Sequence, residues 1–124
     1  MWVVNSVLKA NTFVSATPAW GTAVTIPTGA SVQSPAVSAD GLGNALAVWV
    51  EVQSSIKVVC ANHYSSATAA WDANSTCLSD PGKNAAAPAV DMEETTGRAY
   101  VIWQQAPSGT SYSDVFASIF TPLP

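Results

Sequence analysis

The sequence predicts an all-β fold made of repeated units of four short antiparallel strands. The first observation behind this prediction is a repeat, in which SPAVSADGLGNALAVWVE at residues 34–51 recurs as APAVDMEETTGRAYVIWQQ at residues 87–105. Trp49 and Trp103 are 54 residues apart in this alignment, so the period exceeds 50 residues. The second observation is that short apolar runs alternate with turn residues, and no helical periodicity of useful length is present.

A second pair of matching segments extends the period over the rest of the chain. ANTFVSATPAW at residues 10–20 matches ANHYSSATAAW at residues 61–71 at seven of eleven positions. VFASIF at residues 115–120 matches VCANHY at residues 59–64, which marks the same strand in a third copy.

These matches divide the chain into three segments. Residues 1–33 are a partial repeat with the end of strand B and strands C and D. Residues 34–86 are a complete four-stranded repeat, and residues 87–124 are a partial repeat with strands A, B and C. Because a little over two repeats are present, we expect either a homo-oligomer or a piece of a longer chain.

The complete repeat begins with strand A, a corner and strand B. Strand A is SPAVSA at residues 34–39, with Pro35 near its start, where a missing ladder N–H costs least. DGLGN at residues 40–44 is a tight corner of residues that tolerate positive φ. Strand B, ALAVWVEV at residues 45–52, is apolar at odd and even positions alike, which indicates burial on both faces.

Strands C and D complete the repeat. Strand C is IKVVCANHY at residues 56–64, and alanine holds its central position in all three copies. Strand D is NSTCLS at residues 74–79, with VTIPT at residues 24–28 as its counterpart in the first segment. Polar residues and proline are typical of an outer edge strand, because they block unwanted pairing.

Four antiparallel strands in about 50 residues, with apolar inner strands and a polar outer one, are typical of a β-propeller blade. The run P-x-V-x-x-[D]-x-x-G-[N]-A-x-[AV]-V-W resembles blades of bacterial β-propeller repeat proteins, in the broad sialidase-like and Kelch-like class. The resemblance implies blades of this kind over nearly the whole chain. A single β-sandwich is the alternative, since it also has short strands at similar spacing.

The composition narrows the classes of partner. The chain has eight acidic and four basic residues and a net charge of −4. Nucleic-acid binding needs clustered Lys and Arg against phosphates, so nucleic acid is not an expected partner. No apolar run approaches the roughly 18 residues of a membrane-spanning helix, so we expect no membrane insertion.

Cys60 and Cys77 are the only cysteines. If strands C and D pair with Tyr64 opposite Ala73, Cys60 lies directly opposite Cys77 and within reach of a disulfide. We predict this disulfide in preference to two free buried thiols. A disulfide places the protein in an oxidising compartment, so we expect it to be secreted or to lie at the cell surface or in the periplasm.

All five tryptophans fall at two positions of the repeat. Trp2, Trp49 and Trp103 end strand B, and Trp20 and Trp71 precede strand D. A position that recurs in every unit favours packing over ligand contact. In a lectin built from repeats, the tryptophans that bind the ligand would also recur in every unit, so ligand contact stays open as the alternative.

The remaining polar groups indicate little chemistry. His63 is the only histidine, and its equivalent positions hold other residue types, which favours a partly buried strand residue over a catalytic base. Asp91, Glu93 and Glu94 form the densest acidic group, at a corner where solvated charge is expected. Their carboxylates could also hold Ca²⁺. We predict no other cofactor or metal, and no catalytic residue.

In a propeller, the loops from B to C and from D to A gather on one face. The candidate ligand-binding residues are those that these loops would bring together: Glu51, Gln105, Tyr112, Lys83 and Asn84. The alternative is that they are ordinary polar loop residues.

These observations favour a non-catalytic extracellular interaction module that presents its loop face to a protein or polymer partner. One alternative is a carbohydrate-binding lectin. Another is a fragment of a propeller-type glycoside hydrolase, although such enzymes need paired carboxylates and Glu51 has Gln105 as its equivalent.

Overall fold

A computed structural model describes residues 1–29, 31–106 and 113–122 of the chain. These residues form β-strands and no helix, which confirms the all-β prediction. The strands are β1 (Trp2–Val4), β2 (Val7–Ala10), β3 (Phe13–Val14), β4 (Ala19–Trp20), β5 (Val24–Thr25), β6 (Gln33–Ala39), β7 (Ala45–Gln53), β8 (Ile56–Ser65), β9 (Ala70–Trp71), β10 (Thr76–Cys77), β11 (Ala85–Met92), β12 (Ala99–Gln105) and β13 (Asp114–Phe120). Within the same ranges, no helix is long and apolar enough to cross a membrane.

The strands form three main sheets, and every pairing in them is antiparallel. The N-terminal sheet has the order β1-β2-β5, the central sheet β10-β8-β7-β6, and the C-terminal sheet β11-β12-β13. The short β9 also pairs with β8, and β3 and β4 form a separate small hairpin. None of these sheets closes on itself in the described part of the chain.

The three sheets repeat one register, as the sequence alignment predicts. Trp49 on β7 lies opposite Cys60 on β8, and Trp103 on β12 lies opposite Phe116 on β13. Trp2 occupies the same position on β1, opposite Lys9. The aligned segments are therefore structurally equivalent strands.

Strand B of the complete repeat is buried on both faces, because sheets cover it from both sides. From Leu46 to Glu51 every residue of β7 is buried. Ala47 and Trp49 belong to one apolar cluster with Leu8 of the N-terminal sheet. Val48 belongs to another cluster with Trp103 of the C-terminal sheet. The three sheets thus pack in series, with the central sheet between the other two.

The outer strand differs from its prediction. Strand D is only two residues long in each described copy, β5 and β10, instead of covering residues 24–28 and 74–79. Tyr64 pairs with Trp71 and not with Ala73. The register then shifts by two residues before Cys77 pairs with Cys60, because residues 72–75 bulge out and stand opposite only two residues of β8.

The corners between strands A and B are closed by carboxylate side chains. In the first, Asp40 Oδ1 accepts hydrogen bonds from the backbone N–H groups of Leu42 (2.9 Å) and Asn44 (2.8 Å). Gly43 there has a φ of 86°, a left-handed conformation that favours glycine. In the second, Glu93 accepts from the Tyr100 hydroxyl at 2.8 Å and from the Thr96 hydroxyl. Both corners are therefore held by acceptors that work best when ionised.

Acid should weaken these corners. Burial by itself raises the pKa of Asp40, but hydrogen bonds from Asn44 and Leu42 outweigh it and bring the pKa below its ordinary value of 3.8. A lowered pKa stabilises the fold above the unfolded-state value, and this contribution is lost as the pH falls through the folded-state value. We expect the free energy of unfolding to fall as the pH drops below about 4. Urea titrations across this pH range measure the effect.

The matched variant is Asp40→Asn, which cannot ionise. Its unfolding free energy should be lower than that of the native protein at neutral pH and should change less steeply below pH 4. The hydroxyl-bonded Glu93, whose pKa is also lowered, keeps part of the slope in this variant. Equal pH slopes for the variant and the native protein would contradict the role assigned to Asp40.

Candidate functional site

A depression lies between the central and C-terminal sheets, beside turns that the propeller hypothesis assigns to its loop face. Its volume is about 490 Å³. Three chain segments form it: the turn between β7 and β8, the segment leading into β11, and the end of β12 with the start of β13. The residues that define this loop-face depression are Val52, Ser55, Lys57, Asn84, Ala85, Ala86, Gln104, Ala106 and Ser113.

Asn84 lies at the junction of these segments. Its side-chain Oδ1 accepts a hydrogen bond from the backbone N–H of Lys57 at 2.9 Å. Its backbone carbonyl accepts from the N–H of Ala106 at 3.0 Å. The side chain is exposed, so Asn84 both lines the depression and ties its walls together.

Lys83 lies beside the depression, in the turn that precedes Asn84. Its ammonium group is 3.2 Å from the carboxylate of Asp80. The backbone N–H of Gly82 and then the side chain of Lys83 bring the pKa of Asp80 below its ordinary value. Both interactions favour the ionised form of the Asp80 carboxyl group.

Glu51 lies beneath the surface. Its Oε2 accepts hydrogen bonds from the indole N–H of Trp49 at 3.1 Å and the backbone N–H of Gly29 at 2.9 Å. Its Oε1 accepts from the Gln53 amide at 2.6 Å. A Cβ at position 29 would come within 2.6 Å of this carboxylate, so only glycine fits there without displacing it. Glu51 therefore joins β7 to the segment that leads into β6.

Gln105 repeats this arrangement in the C-terminal sheet. Its Oε1 accepts from the indole N–H of Trp103 at 3.2 Å, and its amide lies 3.5 Å from the carbonyl of Asp80. Each buried tryptophan is thus bonded to the acceptor two residues later on the same strand. The recurring spacing Trp-x-Glu/Gln could have revealed this tie from the sequence.

The candidates therefore divide into surface and buried residues. Asn84 lines the depression and the half-buried Lys83 directly precedes it, whereas Glu51 and Gln105 are buried and engaged in hydrogen bonds. Tyr112 lies outside the described residues. Ligand contact by any of the five stays a prediction.

Removing the Glu51 carboxylate should destabilise the fold. Glu51→Ala leaves the buried indole N–H of Trp49 without an acceptor, and the N–H of Gly29 also loses its partner. We expect a loss of about 2 kcal/mol in the free energy of unfolding, measured by urea titration. Glu51→Gln is the control, because Gln105 fills the same role with an amide oxygen, and its loss should be clearly smaller. A change within about 0.5 kcal/mol for Glu51→Ala would contradict the structural role.

The five tryptophans differ in burial. Trp49 and Trp103 are buried, with 0% and 5% exposure, which confirms packing at these two positions. Trp2 is 40% and Trp20 68% exposed, and Trp71 is half-buried. Packing therefore accounts fully for two of the five.

Cys60 and Cys77 form the predicted disulfide, which joins β8 to β10. Together with the Glu51 carboxylate, their sulfur atoms are the one group of three ligand-type side chains within 4.8 Å that the described residues contain. Since the two sulfurs are bonded to each other, they are not available as thiolate ligands.

The carboxylates of the acidic corner between β11 and β12 differ in their contacts. Glu93 is bonded to two hydroxyl groups, and Asp91 and Glu94 are exposed. Calcium binding by these three residues stays a prediction.

The sequence did not indicate a small cavity between the central and C-terminal sheets. It has a volume of about 170 Å³ and is lined in part by His63 and Phe120, whose rings stack with centroids 4.9 Å apart. The Nδ1 of His63 is 3.9 Å from the carboxylate of Asp72. This cavity is formed where two sheets pack together, and no local sequence pattern indicates which sheets will be neighbours.

Comparisons with known proteins add no relative. A scan against family models, a search of curated proteins and a search of solved structures found no match to this chain.

Proposed function

We propose that the chain is a non-catalytic interaction module of the β-propeller type, which presents its loop-face depression to a protein or polymer partner. The observation that carries this proposal is the convergence of three loop segments, from two adjacent sheets, at one open surface. A surface of this shape suits a partner that lies across it better than a small substrate, which needs an enclosed site.

The propeller-type architecture is supported by the repeated register and the serial packing of the sheets. A sandwich has two sheets facing one core, whereas here the central sheet contributes to an apolar cluster on each of its faces. The disulfide supports a secreted, cell-surface or periplasmic location as part of this proposal, since cross-links of this kind persist in oxidising compartments.

The buried acceptors argue for binding over catalysis. Glu51 and Gln105, which follow the strand-B tryptophans, are both buried and both accept a hydrogen bond from a tryptophan indole N–H. A glycoside hydrolase generally needs two carboxyl groups about 5–10 Å apart. A hydrolysis screen on chromogenic glycosides tests that alternative, and turnover by the native protein would contradict the proposal.

A lectin is the second candidate, and one surface favours it. A groove of about 440 Å³ lies between the small β3–β4 hairpin and β9. The half-buried Trp71 and Tyr64 line it, together with the side chains of Asn11, Thr12 and Asp72. Aromatic faces beside amide, hydroxyl and carboxylate groups provide the mixture of contacts that a saccharide needs.

One binding experiment separates the two surfaces. The native protein is applied to a glycan array and to immobilised polysaccharide and fibrous-protein polymers. Lys57→Glu reverses a charge in the loop-face depression, and Arg98→Glu makes the same change at an exposed corner as a control. We expect Lys57→Glu to weaken polymer binding by about tenfold, the effect of losing about 1.4 kcal/mol, with no effect of Arg98→Glu. Binding lost in Trp71→Ala but kept in Lys57→Glu would assign the function to the groove.

A further inference from the structure

In the described part of the chain, no other sheet packs against one apolar face of the C-terminal sheet. Ile102 on β12 is 48% exposed, and Tyr100, Val115 and Ile119 on the same face are exposed as well. These residues share a face because Tyr100 pairs with Ile119 and Ile102 with Ala117 across the two strands. We call this surface the Ile102 face.

The central sheet has an equivalent face that is covered. Val48 lies opposite Ala61 in the same register as Ile102 opposite Ala117. Val48 is fully buried, in a cluster with Val101 and Trp103 of the C-terminal sheet. In the central sheet, the positions equivalent to the exposed ones of the Ile102 face are therefore covered by the next sheet along the chain.

Within residues 1–29, 31–106 and 113–122, no sheet packs against the face of the N-terminal sheet that carries Trp2. Trp2 is 40% exposed and Val4 is exposed beside it. The equivalent Trp49 and Trp103 are buried, each in the cluster formed with the sheet that comes earlier in the chain. We call this surface the Trp2 face. It is equivalent to the face of the C-terminal sheet that carries Trp103 and packs against Val48.

We propose that a second copy of this chain docks head to tail, with its Trp2 face against the Ile102 face of the first. Within the chain, the tryptophan-bearing face of each later sheet packs against the sheet before it. Trp49 of the central sheet packs with Leu8 of the N-terminal sheet, and Trp103 of the C-terminal sheet packs with Val48 of the central sheet. A second copy offers the missing partner for both open faces at once. Burial of their apolar side chains supplies the driving force. Two different surfaces meet in such a contact, so copies can add in sequence until a ring closes.

This inference rests on the serial sheet packing of the proposed propeller-type module and does not depend on the partner of the loop-face depression. Failure of head-to-tail docking would leave the Lys57 experiment unaffected. Failure of the Lys57 experiment would leave the contact between copies unaffected.

Two single variants and their mixture test the proposal by sedimentation velocity. Ile102→Arg blocks one face and Val4→Arg blocks the other. The native protein should form a particle of several copies, and each variant alone should sediment as a monomer. An equal mixture should form a dimer with one copy of each variant and nothing larger, because each pair retains one matched Trp2 face and Ile102 face. Leu42→Arg, at an exposed corner away from both faces, should assemble like the native protein.

Several results would overturn the proposal. A native protein that stays monomeric up to high micromolar concentration would show that something other than a second copy covers these faces. Full assembly of either single variant, or a mixture that stays monomeric, would exclude head-to-tail contact. Circular dichroism verifies that each variant is folded, and Ile119→Arg replaces Ile102→Arg if the latter is not.

Discussion

Trp49→Ala should lower the free energy of unfolding by about 3–5 kcal/mol, the range found when a buried large aromatic side chain is deleted. Trp49 is the largest fully buried side chain and has 0% exposure. Its loss opens a cavity in the cluster that joins the central sheet to the N-terminal sheet. It also leaves the buried Glu51 carboxylate without the indole N–H donor. Urea titration monitored by far-UV circular dichroism measures the change.

Trp20→Ala is the matched control, because Trp20 is 68% exposed. Its ring contacts Phe13 at a centroid distance of 5.5 Å, so the expected loss is below about 1 kcal/mol. Trp49→Phe separates packing from hydrogen bonding, since it keeps most of the ring volume but removes the N–H. Equal losses for Trp49→Ala and Trp20→Ala would contradict the burial assigned to these positions.

Loss of the Cys60–Cys77 disulfide should lower the free energy of unfolding by about 3 kcal/mol. The two cysteines are 17 residues apart in sequence, and closing a loop of this size restricts the unfolded chain. The double variant Cys60→Ala/Cys77→Ala should still fold, because Lys9 and Thr25 hold the same paired positions in the N-terminal sheet. The measurement compares urea midpoints with and without reductant.

Reductant should shift the midpoint of the native protein and leave the double variant unchanged. Intact mass after alkylation of unfolded, unreduced protein gives an independent measure. Uptake of two alkyl groups would mean free thiols and would contradict the disulfide.

The inner strands could be predicted from the sequence because a short run of neighbouring apolar residues marks each of them. Strand B is apolar at consecutive positions, and the structure buries both of its faces. The register of Cys60 with Cys77 followed from antiparallel pairing, although the intermediate pairing of Tyr64 with Ala73 was wrong. The bulge at residues 72–75 could not be predicted, because individual hydrogen bonds hold it and no periodic sequence pattern marks it. The Asn62 amide donates to the carbonyl of Asp72 and the hydroxyl of Ser75, and that hydroxyl donates to the carbonyl of Pro27.

The candidate site was harder to predict, because burial depends on which sheets lie next to each other. Trp2 and Trp49 occupy the same repeat position, yet among the described residues only Trp49 has a sheet packed against it. Glu51 looked like a loop-face residue, but an indole N–H and a glycine N–H both require its carboxylate. The turns that border the loop-face depression belong to equivalent strand pairs, because antiparallel repeats place such turns at the same end of each sheet.

The central sheet is covered on both faces, by the sheets before and after it in the chain. Nuclear Overhauser effects in solution test this most directly. We expect the Trp49 ring to show them with methyl groups of Leu8 or Ile26, and the Val48 methyl groups to show them with Val101 or Trp103, in the same sample. Contacts from only one face of β7, with the other face open to solvent, would contradict serial packing and favour a two-sheet sandwich.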